Sequence, residues 1–556
     1  MSGKDLEISK ARLKKVGLRE KRSAAGRNPV PFRNSALLAM LYVIATMLCA
    51  VGMMAWTYPL MGFRHWYKRL PLGIVLVVFA VICARVMLRL VARDVLKRNS
   101  RLLMLCIIAL FSMLFHSVCL TVMSLPEVKS LFPFETSQVS HFLFPYLFAP
   151  ALATLLAGPA AGVSFGIGMV FINLLFVTSE AAMLPAFTAG TAAAVVVPRL
   201  VAKVRRRLAL LRSFAAAFAI QLLGIVVFLG VILVPGVMRD YGESFAILGG
   251  IAVFAIVATV SSIMLAYVAT LLLLPILEHL FAATSNIRLN EFTDLGNPLL
   301  QRLSLEAPGT YHHCIVVATL AAAAADRIAA NSLLARVGAY FHDIGKLTKP
   351  SFYSENIGAD RLNPHEGLSP NMSAVIIAAH VKEGIGMSIH YNLPPPIYDI
   401  IREHHGTSVM SWFLHKAKEE AKGKTKNGDD KSSQPLVDES QFRYPGPRPT
   451  TKEAAIVMLA DSVEAASRSL DRPTRTNIEN MVENIVNGKI KDEQLNSSPL
   501  TFLDVVSIKR SFANSLTNIL HARVAYPKEE GQKDRMEEKQ KEPASETYGV
   551  NTEAKA

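Results

Sequence analysis

The sequence is short of cysteine, short of sheet-like pattern and, across most of its first half, short of charge. Five cysteines occur in 556 residues, at Cys49, Cys83, Cys106, Cys119 and Cys314, and no CxxC pair exists. That excludes a disulfide framework and zinc-finger spacing. Strand-like alternation of apolar and polar residues is scarce in the second half, which favours an all-α reading. A cleaved signal peptide is excluded too. Residues 1–33 are basic and polar, and the apolar run after them is too long for a signal core.

What is present divides the chain in two. Hydrophobic residues make up 51% of it, and the excess sits between about residues 34 and 281. The formal charge is +15, with Lys and Arg gathered in the N-terminal tail and between apolar runs. This arrangement fits control of membrane topology and a lipid-bilayer partner, not a nucleic-acid polymer.

A span needs about 20 apolar residues. Charge-free or nearly charge-free stretches predict crossings between Arg33 and Arg64, over 72–89, and over 102–126. The stretch 136–179 is too long for one crossing and breaks naturally at Gly158-Pro159. Further crossings follow at 181–198, 213–237 and 244–276. The count is about seven to eight. Eight puts the basic loops 93–101 and 199–212 on the same side as the N-terminus, while Arg64, Lys68 and Arg69 fall on the other. Gly158, Gly162 and Gly166 recur at helical spacing and predict a smooth face for a close neighbour. No predicted span carries the paired acidic residues of an ion pathway, which disfavours a transporter.

The second half reads as a linker over 282–300, a helical domain over 301–527 and a disordered tail over 528–556. Residues 418–441 have the composition of a flexible insertion. Thr450 with Glu453 suggests a capping box for the helix carrying Asp461, and Ser369-Pro370 suits the start of the helix carrying His380. Histidine and aspartate recur as His312-His313 in APGTYHHC, His342-Asp343 in AYFHDIGK, His380 in IIAAHVKEG, His404-His405 in IREHHGTS and Asp461 in MLADSVEA. Singly, each has a plain reading as a packed, surface or capping residue. Together they form a nitrogen and carboxylate donor set suited to iron, manganese or similar divalent ions. Asp343 and Asp461 also lie against apolar runs, where an unpaired carboxylate is costly to bury.

The order H…HD…H…HH…D, with HDIGK at its centre, resembles the HD phosphohydrolase superfamily. EAPGTYHH, LLARVGAYFHDIGK, NPHEGLSP, HVKEG, REHHGTS, FRYPGPRPTTKEAAI and MLADSVEAASRS resemble the membrane-bound 7TM-HD family, with its PgpH-type cyclic di-AMP phosphodiesterases. The resemblance covers roughly residues 140–527. It implies a polytopic helical bundle in the cytoplasmic membrane followed by an all-helical HD domain in the cytoplasm. It implies two metal ions, manganese or iron: one on His313, His342, Asp343 and Asp461, the other on His380, His404 and His405, with Asp343 as the bridge. Of the HH pair, His313 is chosen because it stands just before the apolar run Cys314-Ile315-Val316, with His312 left behind it or facing substrate. Lys346 is one turn on from His342-Asp343. It either reaches a phosphate as a point charge or ends a helix at the surface.

Two metals lower the pKa of a water between or upon them, so hydroxide is present near neutral pH. The implied reaction opens cyclic di-AMP to pApA. The cyclic di-GMP subclass carries a GYP motif soon after its HH pair; HHGTSVMSW lacks it. An alarmone substrate, and a receptor that binds nucleotide without turnover, remain the alternatives. A homodimer is compatible with the sequence. Family members usually place a large domain between the first two spans, whereas residues 63–71 here form only a short loop.

Overall fold

A computed structural model describes residues 35–60, 66–96, 98–132, 140–174, 180–227, 229–230, 245–357, 363–426, 437–470 and 472–521. The predicted N-terminal and C-terminal tails lie outside the described residues. Among those described the chain is helical, and the only strand-like pairing is an isolated bridge between Val409 and Arg443.

Among the described residues, six helices are long and apolar enough to cross a membrane. Five precede residue 282: Ala36–Thr57, Gly73–Val91, Asn99–Ser124, Arg207–Val227 and Gly249–Phe281. The sixth, Pro370–His390, belongs to the second half and carries His380. Shorter apolar helices at Phe148–Ala157, Pro159–Leu174 and Ala186–Val201 complete the membrane half.

The break at Gly158-Pro159 is a tight helical hairpin. Gly158 takes a φ of 92° there, a conformation that glycine adopts without steric cost. Gly162 lies against Thr154 and the Pro150 carbonyl, and Gly166 lies against Pro150 and Ala194. The smooth face expected from the glycine spacing therefore receives two neighbours, one on each side.

The first arm of the hairpin is not a continuous span. Phe148–Ala157 has 10 residues, about 15 Å at helical rise against a hydrocarbon core of about 30 Å. The 3-10 turn Ser140–Leu143 precedes it, with Phe144, Pro145, Tyr146 and Leu147 between. Ser262 donates its hydroxyl to the Phe144 carbonyl at 2.8 Å, inside the bundle. Irregular backbone is tolerated at membrane depth only where protein satisfies it, and this bond does so.

The 37-residue helix Phe245–Phe281 is about 55 Å long and so outruns a bilayer. The predicted linker is a structured joint instead. Glu278 accepts the Ser285 N–H at 2.8 Å, and Ser285 caps the helix Asn286–Glu291. Ile287 packs with the membrane bundle, whereas Leu289 packs with the second domain. Asn286 donates to the Ala202 carbonyl of the basic loop at 3.3 Å and accepts from Asn331 at 3.1 Å.

Other local expectations shift. Ser369 caps Pro370–His390 as expected, accepting from Met372 N–H. The Asp461 helix, Lys452–Ser467, is capped by Thr451 rather than Thr450. The reason is that Thr450 gives its N–H and hydroxyl to buried Glu403. Helix Ser411–Lys426 runs into the region read as an insertion, anchored by Leu414 in a small core with Met410 and Phe442. Residues 427–436 lie outside the described part.

Candidate metal centre

Helix ends and buried helix faces hold the site. Helix Pro308–Arg327 opens with proline at its first position and turns His313 inward, 4% exposed, while His312 is exposed. His342 ends helix Ser332–Phe341, and Asp343 opens the 3-10 turn Ile344–Thr348. His380 lies mid-way along Pro370–His390. His404 ends Pro395–Glu403 and His405 follows it. Asp461 lies on the buried side of Lys452–Ser467.

All seven expected ligands converge. Asp343 Oδ2 is 3.5 Å from His313 Nε2 and 3.4 Å from His342 Nε2. Its other oxygen, Oδ1, is 3.4 Å from His380 Nε2 and 3.7 Å from His404 Nε2. Asp461 Oδ1 is 3.1 Å from His313 Nε2, and its Oδ2 is 3.5 Å from His405 Nδ1. Their donor atoms form two groups, each within 4.8 Å: His313, His342 and Asp461, and Asp343, His380, His404 and His405.

Four of the five imidazoles share one orientation, and His405 instead turns Nδ1 toward Asp461. Nδ1 of His342 faces the Ala339 carbonyl at 2.8 Å, that of His380 the Ile377 carbonyl at 2.6 Å, and that of His404 the Ile401 carbonyl at 2.8 Å. His313 Nδ1 meets Glu464 Oε2 at 2.5 Å. A carbonyl or carboxylate on Nδ1 fixes the proton there and turns Nε2 inward, the arrangement metal-ligating histidines use. His342 Nε2 and Asp343 Oδ1 are buried and have no hydrogen-bond partner among the described residues. A cation in each donor group would satisfy both, so the donor set fits metal. Cys314 Sγ is 3.8 Å from His342 Nδ1 and makes a further donor group with His342 and Asp343.

Charges follow from burial and contact. Burial pulls the His313 imidazole down, but the carboxylates of Asp461 and Glu464 outweigh it and lift it to about 9. Burial pulls His380 down to about 4 and His405 well below the ordinary histidine value. Burial pushes Asp343 up, yet the charges of Lys346 and His342 hold it well below the carboxylate range. Lys346 Nζ bridges Asp343 Oδ2 at 2.8 Å and Glu355 Oε1 at 2.7 Å. The lysine is half-buried beside the centre.

Sequence reasoning missed several partners. Glu464 follows Asp461 by one helical turn and is itself gripped by Arg468 at 2.7 Å. The i, i+3 spacing was the available signal. Tyr444, whose ring stacks on His405 at 4.1 Å, and Glu355, from the 3-10 turn Ser354–Asn356, left no motif to read.

Two regions of the chain match family models. Residues 66–285 match the 7TM receptor with intracellular HD hydrolase, and residues 310–466 match the HD domain. The chain belongs to this 7TM-HD family. Cyclic-di-AMP phosphodiesterase PgpH of Bacillus subtilis (strain 168) is 43% identical over 46% of this chain and 34% of its own. Its namesake in Listeria monocytogenes serotype 1/2a (strain 10403S) is 33% identical over 71% of this chain and 51% of its own. The chain thus spans about half or less of the curated relatives it matches. A crystal structure of the L. monocytogenes phosphodiesterase PgpH HD domain is 40% identical, covering 41% of this chain and 100% of that one, with a TM-score of 0.37. In this 7TM-HD chain the matched HD region contains all seven donors and Glu464. The joint at Ser285 lies where the membrane match ends.

Proposed function

We propose that this chain is a metal-dependent phosphodiesterase that opens cyclic di-AMP to linear pApA. The observation that carries the reading is Asp343, whose two oxygens face two separate groups of imidazole nitrogens. The activity printed for the two PgpH relatives supports the substrate. We assign His313, His342, Asp343 and Asp461 to one divalent ion, and His380, His404, His405 and the shared Asp343 to a second, with manganese or iron as the metal. When bound, such ions supply Lewis acidity toward water and toward a phosphodiester's oxygens.

The chain's own groups prepare that chemistry. Lys346 keeps Asp343 ionised and adds positive charge where a phosphate oxygen would lie. Glu464 holds the His313 ring with its proton on Nδ1. We further infer that the HD domain is cytoplasmic, on the inner membrane. The joint helix bonds to the Arg-rich loop around Ala202, and such loops stay inside.

Glu464→Ala is expected to weaken metal affinity by about 10- to 100-fold, as loss of such outer partners typically does. Manganese titration of the variant measures it, and unchanged affinity would remove Glu464 from the account. The reading itself is tested by offering the purified full chain cyclic di-AMP, cyclic di-GMP and an alarmone with manganese or iron. Release of pApA from cyclic di-AMP is expected. Metal uptake with no turnover of any of them would leave a receptor instead.

A further inference from the structure

The cations around the centre are mostly matched to carboxylates. Lys346 lies between Asp343 and Glu355, Arg468 holds Glu464, Arg448 meets Glu493, and Arg443 meets Glu439 and Asp492. Lys489 differs. It sits near the end of helix Arg475–Lys491, is half-buried, and donates to the Ser408 hydroxyl at 2.8 Å. Among the described residues it has no carboxylate within ion-pair distance. Burial pulls its pKa down, and the charges of Asp461 and Asp492 pull it partly back. Its bond to Ser408, three residues after His405, places the ammonium at the turn that follows the His404-His405 pair.

Ser408 does not need a lysine to stay in place. The turn after His404-His405 is already fixed by other bonds. Gln494 accepts the Thr407 N–H at 2.9 Å, and Arg443 donates to the Thr407 carbonyl at 2.8 Å. The Ser408 carbonyl accepts from Tyr444 N–H at 3.0 Å, and Phe442 pairs with Met410 at 2.8 Å. A partly desolvated ammonium with one neutral acceptor has spare donors and an unmatched charge, which is costly unless an anion completes it. A cyclic dinucleotide carries two phosphates. Only one can react at the metal centre, and the other needs a counter-charge nearby.

We propose that Lys489 and Ser408 form a second phosphate-binding point beside the His/Asp centre, taking the non-reacting phosphate of a cyclic dinucleotide. This rests on the phosphodiesterase reading above. Lys489 touches substrate but not the reacting bond, so its loss weakens substrate capture rather than the chemistry.

The test uses the full chain in detergent, with Lys489→Met and Lys489→Arg, on two substrates. Cyclic di-AMP has two phosphates; bis(4-nitrophenyl) phosphate has one and needs only the metal centre. Lys489→Met is expected to raise KM for cyclic di-AMP about tenfold or more, the effect of one lost charge-assisted bond. It should leave kcat, and turnover of bis(4-nitrophenyl) phosphate, within about twofold. Lys489→Arg should restore most of the loss. An unchanged KM for cyclic di-AMP, or an equal fall on both substrates, would overturn the proposal. If the unaltered chain hydrolyses only the one-phosphate substrate, the cyclic di-AMP reading fails first, and the second phosphate point falls with it.

Discussion

Asp343→Ala is expected to release both metal ions and lower phosphodiester hydrolysis by about a thousandfold or more. Its carboxylate lies between the two donor groups, one oxygen to each: Oδ2 toward His313 and His342, Oδ1 toward His380 and His404. Asp461 touches His313, His342 and His405 but not His380 or His404 within ion-pair distance. Without Asp343 the second group is all imidazole, and the two halves lose their shared anion. Lys346 then faces that gap with Glu355 alone. Transition-state stabilisation by metal is worth several kcal/mol, and each 1.36 kcal/mol is about tenfold in rate. Metal analysis of the purified variant, read beside its rate, checks this. Retention of both ions would refute the bridging role, whatever the rate.

Gly345→Ala should separate the two halves of the centre. Gly345 follows the His342-Asp343 pair closely and presses on the backbone of the His380 helix. A Cβ there would collide with the His380 carbonyl and the Gly384 nitrogen. Backbone cannot swing aside as a side chain can, so the helix must withdraw and carry His380 away from Asp343 and His404. Overpacking of this kind costs about 1–3 kcal/mol of stability. The expected outcome is one ion per chain in place of two, with activity reduced about a hundredfold or more. His313, His342 and Asp461 approach from other elements and should keep their ion. Gly386→Ala is the control on the same helix, since a Cβ there meets nothing within 4 Å. It should be neutral or slightly stabilising. If Gly345→Ala keeps two ions and full rate, the close approach does not position His380.

These predictions draw on residues that differ in how visible they were. The metal-group residues were legible because each stands within a short motif, and because the HD core fixes their order along the chain. His313 was preferred to His312 for the apolar run after it, and the structure buries His313 and exposes His312. Glu464 lay one turn from Asp461 and was readable in principle. Glu403, Tyr444 and Lys489 were not, because their roles depend on contacts far along the chain, such as Glu403 with Thr450, Tyr444 with His405 and Lys489 with Ser408. The same limit explains the cap at Thr451. A capping box is a local pattern, and Glu403 had already claimed Thr450. In the membrane half, absence of charge located the crossings, and Gly158-Pro159 marked the hairpin. Hydropathy could not reveal that its first arm is broken at Phe144-Pro145, since a satisfied carbonyl depends on Ser262 far along the chain. Nor does hydropathy distinguish Pro370–His390 from a span. Ala374, Val381 and Ile385 pack into protein cores, and His380 faces the site.

The central claim is a pair of metal sites sharing Asp343. Its most direct test is to strip the full chain of metal and titrate manganese back while measuring bound ions per chain and cyclic di-AMP hydrolysis together. Activity should stay low through the first equivalent, rise with the second and level at two ions per chain. Full activity at one ion per chain, or undiminished activity in excess chelator, would contradict it.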